Sequence, residues 1–570
     1  MSRASERERR NRRFPVLIIL GLIALVCILG VAYELISRRL PTGERADLTA
    51  IYGADPDQAA VIANHELIES RALWTLDHAY LPYEVIRDEL NGRFYWDPVE
   101  ELLLYTLPEE VVRADSETAF DGAPVLIQRD GTVYVSLSYV EHYTNISVQQ
   151  FESPNRIVLQ TEWGTEKIGT LKKKASVRVR GGIRSPIVTK LAAGEEVTIL
   201  DPMEHWTGIE TPDGFLGYVA NSAIGEVREE VLTGPYEEPV YTSLHLDEPV
   251  SMIWHQVFEG SGLSGLQEFL PTGAPVNVIS PTWLTVASED GSITSRADAA
   301  YVQAAHDAGL KVWVMLENIN IETNSAQLLQ ATSHREKLVE AVMAELTACG
   351  ADGLNVDFES ISSEAGDGFI QLIRELSAAC RRQGLILSVD NGVPAGGGLN
   401  RYHVPEQGRI VDYVLVMAYD EHYRGSEPGS TASLPFVQQA VTDMKNLVPA
   451  EKLLCAVPFY TRLWTEASDG AGSEAMGIEK AAAFVAEHGM TTTWLEDLAQ
   501  NYAEGSEGST VYRIWLEDAE SMQARMQMLA TQEIAGFAYW KMGMQTSSVW
   551  DVIRPYTGIA AEPAQAGFAG

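Results

Sequence analysis

"GLNVDFES", residues 353–360, is an apolar run broken at every second position by Asn355, Asp357 and Glu359. Side chains alternate across a strand, so these three share one face, each about 7 Å from the next. A buried strand with a single polar row has a site at its end. Similar runs recur outward from it: "SMIWHQV", "VNVISPTWL" and "LKVWVMLEN" before, and "LILSVDN", "YVLVMAYD", "KLLCAVPFY" and "IAGFAYW" after. Amphipathic helical segments, such as 334–348 and 367–383, lie between several of them. Near-continuous apolar strands alternating with helices predict a parallel sheet covered on both faces. Eight such units predict an α/β fold, a (β/α)8 TIM barrel, over residues 245–558. The interval 460–533 is too long for one connection. It holds a helical "IEKAAAFVAEHG" and a strand-like "TVYRIWLED", which predict a small α+β insertion at about 462–530.

In such barrels the chemistry sits at the C-terminal strand ends. Asp357 and Glu359 end the fourth strand and "MAYD" (417–420) the sixth. "PFYTR" (458–462) ends the seventh and "YW" (539–540) the eighth, while Trp283 and Asn318 end the second and third. A lone Asp-x-Glu at a strand end would be read as a helix cap. Convergence of these strand ends points instead to a site. Two carboxylates beside aromatic faces suit glycosidic bond cleavage: one acid protonates the leaving oxygen, and aromatic rings stack on sugar rings. Two acids about 7 Å apart in a shielded mouth repel when both are charged, which keeps one protonated as an acid.

"DGLNVDFE" (352–359) resembles the DGxDxDxE signature of glycoside hydrolase family 18. "SPTW", "MAYDEHY", "PFYTRLW" and the tryptophan of the eighth strand are similar to its branch of bacterial cell-wall and spore-cortex N-acetylglucosaminidases. The resemblance covers roughly 250–555. It implies that Glu359 is the general acid and then the base. It implies that the substrate's own 2-acetamido oxygen attacks the anomeric carbon, with retention of configuration. Asp357 would orient that acetamide, Tyr419 would donate a hydrogen bond to it, and Trp540 would floor the subsite. Asn355 and Asp352 would buffer Asp357 from behind. Asp420, Arg462, Tyr460, Trp283 and Asn318 would contact the sugar. Asn355 departs from the family pattern, where many members carry Asp; the resemblance implies retained activity with altered proton sharing. No cofactor is implied.

Upstream, "FPVLIILGLIALVCILGVAY" (14–33) holds twenty uncharged, mostly apolar residues, and "MSRASERERRNRR" before it carries six arginines against two glutamates. Length and charge predict a single transmembrane helix over 14–34, a cytoplasmic tail over 1–13 and the remainder outside the cell. A cleaved signal peptide would have a shorter apolar core and a small-residue cleavage site. Residues 45–165 contain an internal repeat. "YLPYEVI" (80–86) matches "YVSLSYV" (134–140), and "WDPVEELLLYT" (96–106) matches "FESPNRIVLQT" (151–161). Each copy predicts a strand, a short helix and a strand pair; the module resembles stalk-like domains related to the N-terminal domain of copper amine oxidases, without copper ligands. Residues 166–228 read as short strands between Gly, Pro and Asp turns and resemble a bacterial SH3-like domain, a family that binds wall peptide or glycan. Residues 559–570 read as a tail.

The chain has 570 residues and a formal charge of −37, from 42 basic and 79 acidic side chains. That excess of acid excludes a nucleic-acid partner. Cys27, Cys349, Cys380 and Cys455 form no CxxC pair and no HExxH occurs, which argues against a Cys/His metal site. The partner expected is an N-acetylglucosamine-containing polysaccharide, peptidoglycan first. A lectin-like barrel that holds glycan uncut, or an enzyme on chitin or another N-acetylhexosamine polymer, are the competing readings.

Overall fold

The computed structural model describes residues 3–37, 39–53, 55–75, 77–319, 325–394, 400–467 and 470–559. Contacts divide the chain into two compact units: residues 1–92 with 115–238, and residues 93–114 with 239–570.

The second unit is built around the parallel sheet expected from the sequence. Its strands are β1 (Val250–His255), β2 (Val278–Val286), β3 (Lys311–Glu317), β4 (Gly353–Asp357), β5 (Ile386–Asn391), β6 (Tyr413–Met417), β7 (Leu453–Pro458) and β8 (Gly536–Trp540). They pair in the order β1-β8-β7-β6-β5-β4-β3-β2, and a further β1–β2 pairing closes the barrel. Inward side chains alternate along each strand. Trp254, Met315, Leu415 and Ala538 pack inside the barrel, while Ile279, Val314, Val389 and Val457 pack outward under the helices. Residues 460–516 form the insertion, a five-stranded antiparallel sheet with the helix Ile478–Glu487, packed on Leu463, Met476, Val485 and Ile514.

Among the described residues the first unit contains two seven-stranded sheets and a two-stranded ribbon, Ala119–Phe120 with Ala123–Pro124. The strands of the SH3-like module, from Thr165–Leu171 to Ile224–Val231, surround Leu171, Val177, Val197, Ile209 and Val219. The preceding module has a seven-stranded sheet in which Gln58–Ala63 runs parallel to Arg156–Gln160. Both repeat copies adopt the same elements. His78–Pro82 leads into the helix Tyr83–Val85, and Thr132–Ser136 into Leu137–His142. Each is followed by a hairpin, Phe94–Asp97 with Leu102–Thr106 and Ser147–Phe151 with Arg156–Gln160. The second hairpin stays in the sheet of its own module. The first belongs to the barrel unit, so the 45–165 span divides at residues 93–114.

Asn64 and His65, both in the left-handed region (φ 45° and 70°), turn the chain between Gln58–Ala63 and Glu66–Thr75. His65 projects onto the SH3-like module. Its Nδ1 meets Glu210 Oε2 at 2.8 Å and its Nε2 meets Glu166 Oε1 at 2.9 Å. The bond to Glu210, aided by Glu166, outweighs burial and pushes the imidazole up to about 9. Because the folded value lies above the unfolded one, the stabilisation is full below about pH 6.5 and is lost as pH rises through 9. His65→Gln is expected to cost about 1–2 kcal/mol at pH 6, after allowance for solvent screening, and little at pH 10. Thermal unfolding at the two pH values checks this; an equal loss at both would show that the ring acts only by packing.

Residues 14–34 lie within one helix, Arg3–Ser37. The side chains of 1–17 and 35 are outside the described residues, and the large apolar side chains from Ile18 to Tyr33, with Ile36, are exposed. Among the described residues no helix is long and apolar enough to cross a membrane. The tail beyond residue 559 also lies outside the described residues.

Candidate active site

Registration of the strands brings three acids into one layer at the C-terminal end of the barrel. Glu317 on β3 pairs with Asp357 on β4. The β4–β5 ladder pairs Asn355 with Ser388 and Val356 with Val389, so the next step sets Asp357 beside Asp390. All three positions point inward by the strand alternation. One layer deeper, Asn355 is wholly buried and its amide is fully engaged. Its Oδ1 accepts from Trp254 Nε1 (2.9 Å) and Ser280 Oγ (3.2 Å), and its Nδ2 donates to Ser388 Oγ (3.0 Å) and Asp390 Oδ1 (2.7 Å).

Glu359 follows β4 and opens into a cleft of about 470 Å³ lined by Asp390, Arg401, Met417, Tyr419 and Asp420 among others. Its backbone is fixed from β3: Asn318 Oδ1 accepts the Glu359 N–H at 2.7 Å, and Asn318 Nδ2 donates to the Glu359 carbonyl at 3.0 Å. Tyr419 follows β6, its ring 6.2 Å from that of Tyr460 in an edge-on arrangement. Tyr460 donates to Asp420 Oδ1 at 2.6 Å, and Arg462 Nη2 reaches the same oxygen at 3.4 Å. Asp420 sits in the left-handed region (φ 57°), one of the few non-glycine residue types that accept it readily. Trp540, at the end of β8, meets Trp254 edge-on at 5.6 Å.

Burial, then the neighbouring Asp390, Glu359 and Glu317, push Asp357 well above the usual carboxylate range. Burial pushes Asp390 up to about 8, against the hydrogen bond from Asn355. Partial burial, with Asp420 and Glu317 nearby, raises Glu359 too, although its side chain opens to solvent in the cleft. Burial raises Glu317 as well, opposed by the Thr285 hydroxyl. A cluster of acids whose carboxyls are all raised above their usual range beside a cleft is suited to proton donation.

Several residues named from the sequence take other positions. Asp352 precedes β4 and sits at the far, N-terminal end of the barrel. There it binds His306 Nε2 (2.7 Å), Lys311 Nζ (2.8 Å) and the Val312 N–H (2.9 Å), so it does not back Asp357. Trp283 is fully buried on the helix side of β2, donating to the Ser261 carbonyl and packing on Tyr301. Ser280 faces Asn355 inside the barrel, so ordinary alternation along β2 turns position 283 to the helix side despite its place near the strand end. Asn318 holds the Glu359 backbone with both ends of its amide, so it positions the acid. Asn355 is engaged wholly by protein groups below the cleft. Conversely, Asp390, Glu317, Trp254, Ser280 and Ser388 were not singled out. Strand alternation would have found Asp390 and Ser388 in "LILSVDN", and Glu317 one residue before Asn318.

The sequence profile of Glycosyl hydrolases family 18 matches residues 261–545, and that of the bacterial SH3 domain matches 166–225. The cortical fragment-lytic enzyme of Bacillus subtilis (strain 168) is 23% identical over 233 residues, 39% of this chain and 54% of that enzyme. Its Bacillus anthracis namesake is 21% identical over 280 residues, 47% of this chain and 65% of that enzyme. The chain thus spans a little over half the length of the curated relatives it matches. The crystal structure of the Bacillus megaterium QM B1551 spore cortex-lytic enzyme SleL aligns at 15% identity with a TM-score of 0.50, covering 65% of this chain and 91% of that one, a likeness of fold. The profile match takes in half of the chain, with strands β2 to β8 of the barrel and its acidic strand ends, and on it the chain belongs to glycosyl hydrolases family 18.

Proposed function

We propose that this protein is a membrane-anchored, retaining glycoside hydrolase that cleaves β-1,4 bonds of N-acetylglucosamine-containing cell-wall glycan, peptidoglycan first. The observation that carries the reading is Glu359, raised above its ordinary range and opening into the cleft, with Asp357 buried in the layer beneath. Glu359 protonates the leaving oxygen. The substrate's acetamido oxygen attacks the anomeric carbon, while Asp357 takes up the acetamido N–H and Tyr419 donates to the acetamido oxygen. Glu359, now ionised, then draws a proton from the attacking water, and two inversions leave the configuration retained. Trp540 offers a face for the sugar ring. The curated relatives named cortical fragment-lytic enzymes support wall glycan as the target. The apolar run 14–34 supports the anchor, and the SH3-like module supports retention at the wall.

The test is to give the full chain solubilised peptidoglycan strands and N-acetylglucosamine oligomers side by side, reading new ends by mass and their anomeric form by NMR. New reducing ends of retained configuration from peptidoglycan are expected. Cleavage of the oligomers alone would move the substrate to chitin-like polymers. Binding without new ends from either would make the barrel a lectin.

A further inference from the structure

The family signature places a carboxyl two residues before the central aspartate, where this chain has Asn355. An amide there can neither hold nor release a proton. The structure brings a carboxyl to the same spot from the next strand. Asn355 spends its oxygen on Trp254 and Ser280, so its nitrogen faces β5 and donates to Asp390 Oδ1 at 2.7 Å. That occupies one oxygen of Asp390. The other, Oδ2, is buried without a hydrogen-bond partner, and so is Oδ1 of Asp357. The two residues are neighbours across the β4–β5 ladder, with backbones about 4.8 Å apart and both side chains inward. Two orphan carboxyl oxygens in a dry layer are satisfied together by a single proton, one oxygen donating and the other accepting.

We infer that Asp390 stands in for the missing inner aspartate: Asp357 and Asp390 share one proton, which passes to Asp390 when Asp357 takes up the acetamido N–H of the substrate. This rests on the hydrolase reading above. The balance is simple: the pair carries one proton and one negative charge before and after the shift, and only the proton's position changes. As the acetamido oxygen attacks, positive charge grows on its nitrogen, and a carboxylate at 357 stabilises it. A protonated Asp390 keeps a second negative charge out of the barrel. The groups facing the pair are Glu317 from β3, Asn355 and Glu359 from β4 and its end, Ser388 from β5, Tyr402 from the segment after β5, and Tyr419 from the end of β6. None is a cation. Burial, which pushes both acids up, acts in the same direction.

Asp390 is therefore a positioning residue, and its test needs a readout that lost packing would not move. In the full chain, Asp390→Asn is expected to lower kcat about tenfold or more with KM little changed. The acidic limb of kcat/KM should rise by about one pH unit or more, because a lone buried Asp357 ionises less readily than one sharing a proton. The swap Asn355→Asp/Asp390→Asn, which returns the carboxyl to the family position, should recover most of the rate and restore the limb. Asp390→Asn with wild-type kcat and pH profile, or a folded swap no better than the single variant, would overturn the inference. A second arm needs no catalysis. A folded value of about 8 lies above the unfolded carboxylate value, so the contribution of this group to stability is full below about pH 4 and is lost as pH rises through 8. Asp390→Asn should flatten that fall in thermal midpoint; an unchanged fall would also overturn the inference. If the wild type cleaves no glycan, the hydrolase reading falls, and the thermal arm still tests the pair: with a shared proton Asp357→Asn flattens the same fall as Asp390→Asn, and a fall that either variant leaves intact would overturn the inference.

Discussion

Glu359→Gln is expected to lower kcat by about 10²–10⁴-fold with KM nearly unchanged, the loss of a positioned acid worth about 3–5 kcal/mol in the barrier. Glutamine keeps the shape of the side chain and loses only the proton to be donated. The Asn318 clamp grips the backbone of residue 359, so it persists in the variant. The pH profile supplies a second check. Activity needs Glu359 protonated, so its alkaline limb follows the ionisation of that carboxyl. After burial, the negative charge of Asp420 is the next cause holding it up. Asp420→Asn should therefore move the alkaline limb to lower pH by a few tenths of a unit, roughly the effect of one partly screened charge. Initial rates on peptidoglycan strands across pH 4–9 measure both. Retained kcat in Glu359→Gln, or a limb that moves upward in Asp420→Asn, would refute the assignment of the acid.

What the sequence reveals, and what it hides, follows from the physics of each element. The eight apolar runs were legible because parallel strands buried on both faces need unbroken apolar sequence, and all eight pair in the barrel. The insertion was legible from a connection too long for one helix. Position along a strand was harder. Asp352 lies five residues before Asp357, and at about 3.3 Å per residue that distance crosses the whole barrel. Motif adjacency therefore misled where strand geometry would have separated them. Trp283 follows the alternation set by the inward Ser280 and so faces the helices; nearness to the strand end alone pointed it to the cleft. Asp390 was available to alternation, since Ser388 and Asp390 mirror Asn355 and Asp357 on the next strand, but only strand ends carrying a motif drew notice. The repeat was legible in its local elements and silent on their destination. Identical supersecondary patterns are placed by tertiary contacts, and those of residues 93–114 lie with the barrel.

Those contacts make Asp97 the position outside the cleft where a single change should destabilise the barrel unit most. Asp97 is wholly buried. Its Oδ1 accepts the N–H groups of Val99 and Glu100 and so sets the hairpin turn, at 2.8 and 3.0 Å. Its Oδ2 accepts the Thr332 N–H at 2.6 Å and the Thr332 hydroxyl at 2.5 Å. Thr332 begins the helix Thr332–Cys349, whose own N-cap, Ala331, has no side-chain acceptor. The hairpin thus supplies the cap that the barrel helix lacks. Around it, Arg335 lies over the Tyr95 ring and Gln371 donates to Thr106 at 3.1 Å. Asp97→Ala leaves the buried Thr332 N–H and hydroxyl without this acceptor and unties the turn at Val99 and Glu100, a cost of about 3–4 kcal/mol. In a unit of this size that lowers the thermal midpoint by roughly 4–5 °C. Asp97→Asn keeps an acceptor for each donor pair on only one side and should cost about half as much. The capped helix follows the segment bearing Ser325, whose hydroxyl accepts from the same Asn318 amide that grips Glu359. Activity near the midpoint should therefore fall with stability, while kcat at low temperature stays close to wild type. Differential scanning calorimetry of the full chain, with rates at 15 and 45 °C, separates the cases. An unchanged midpoint in Asp97→Ala would mean that the hairpin is no brace. A kcat reduced equally at both temperatures would mean that it reaches the acid directly.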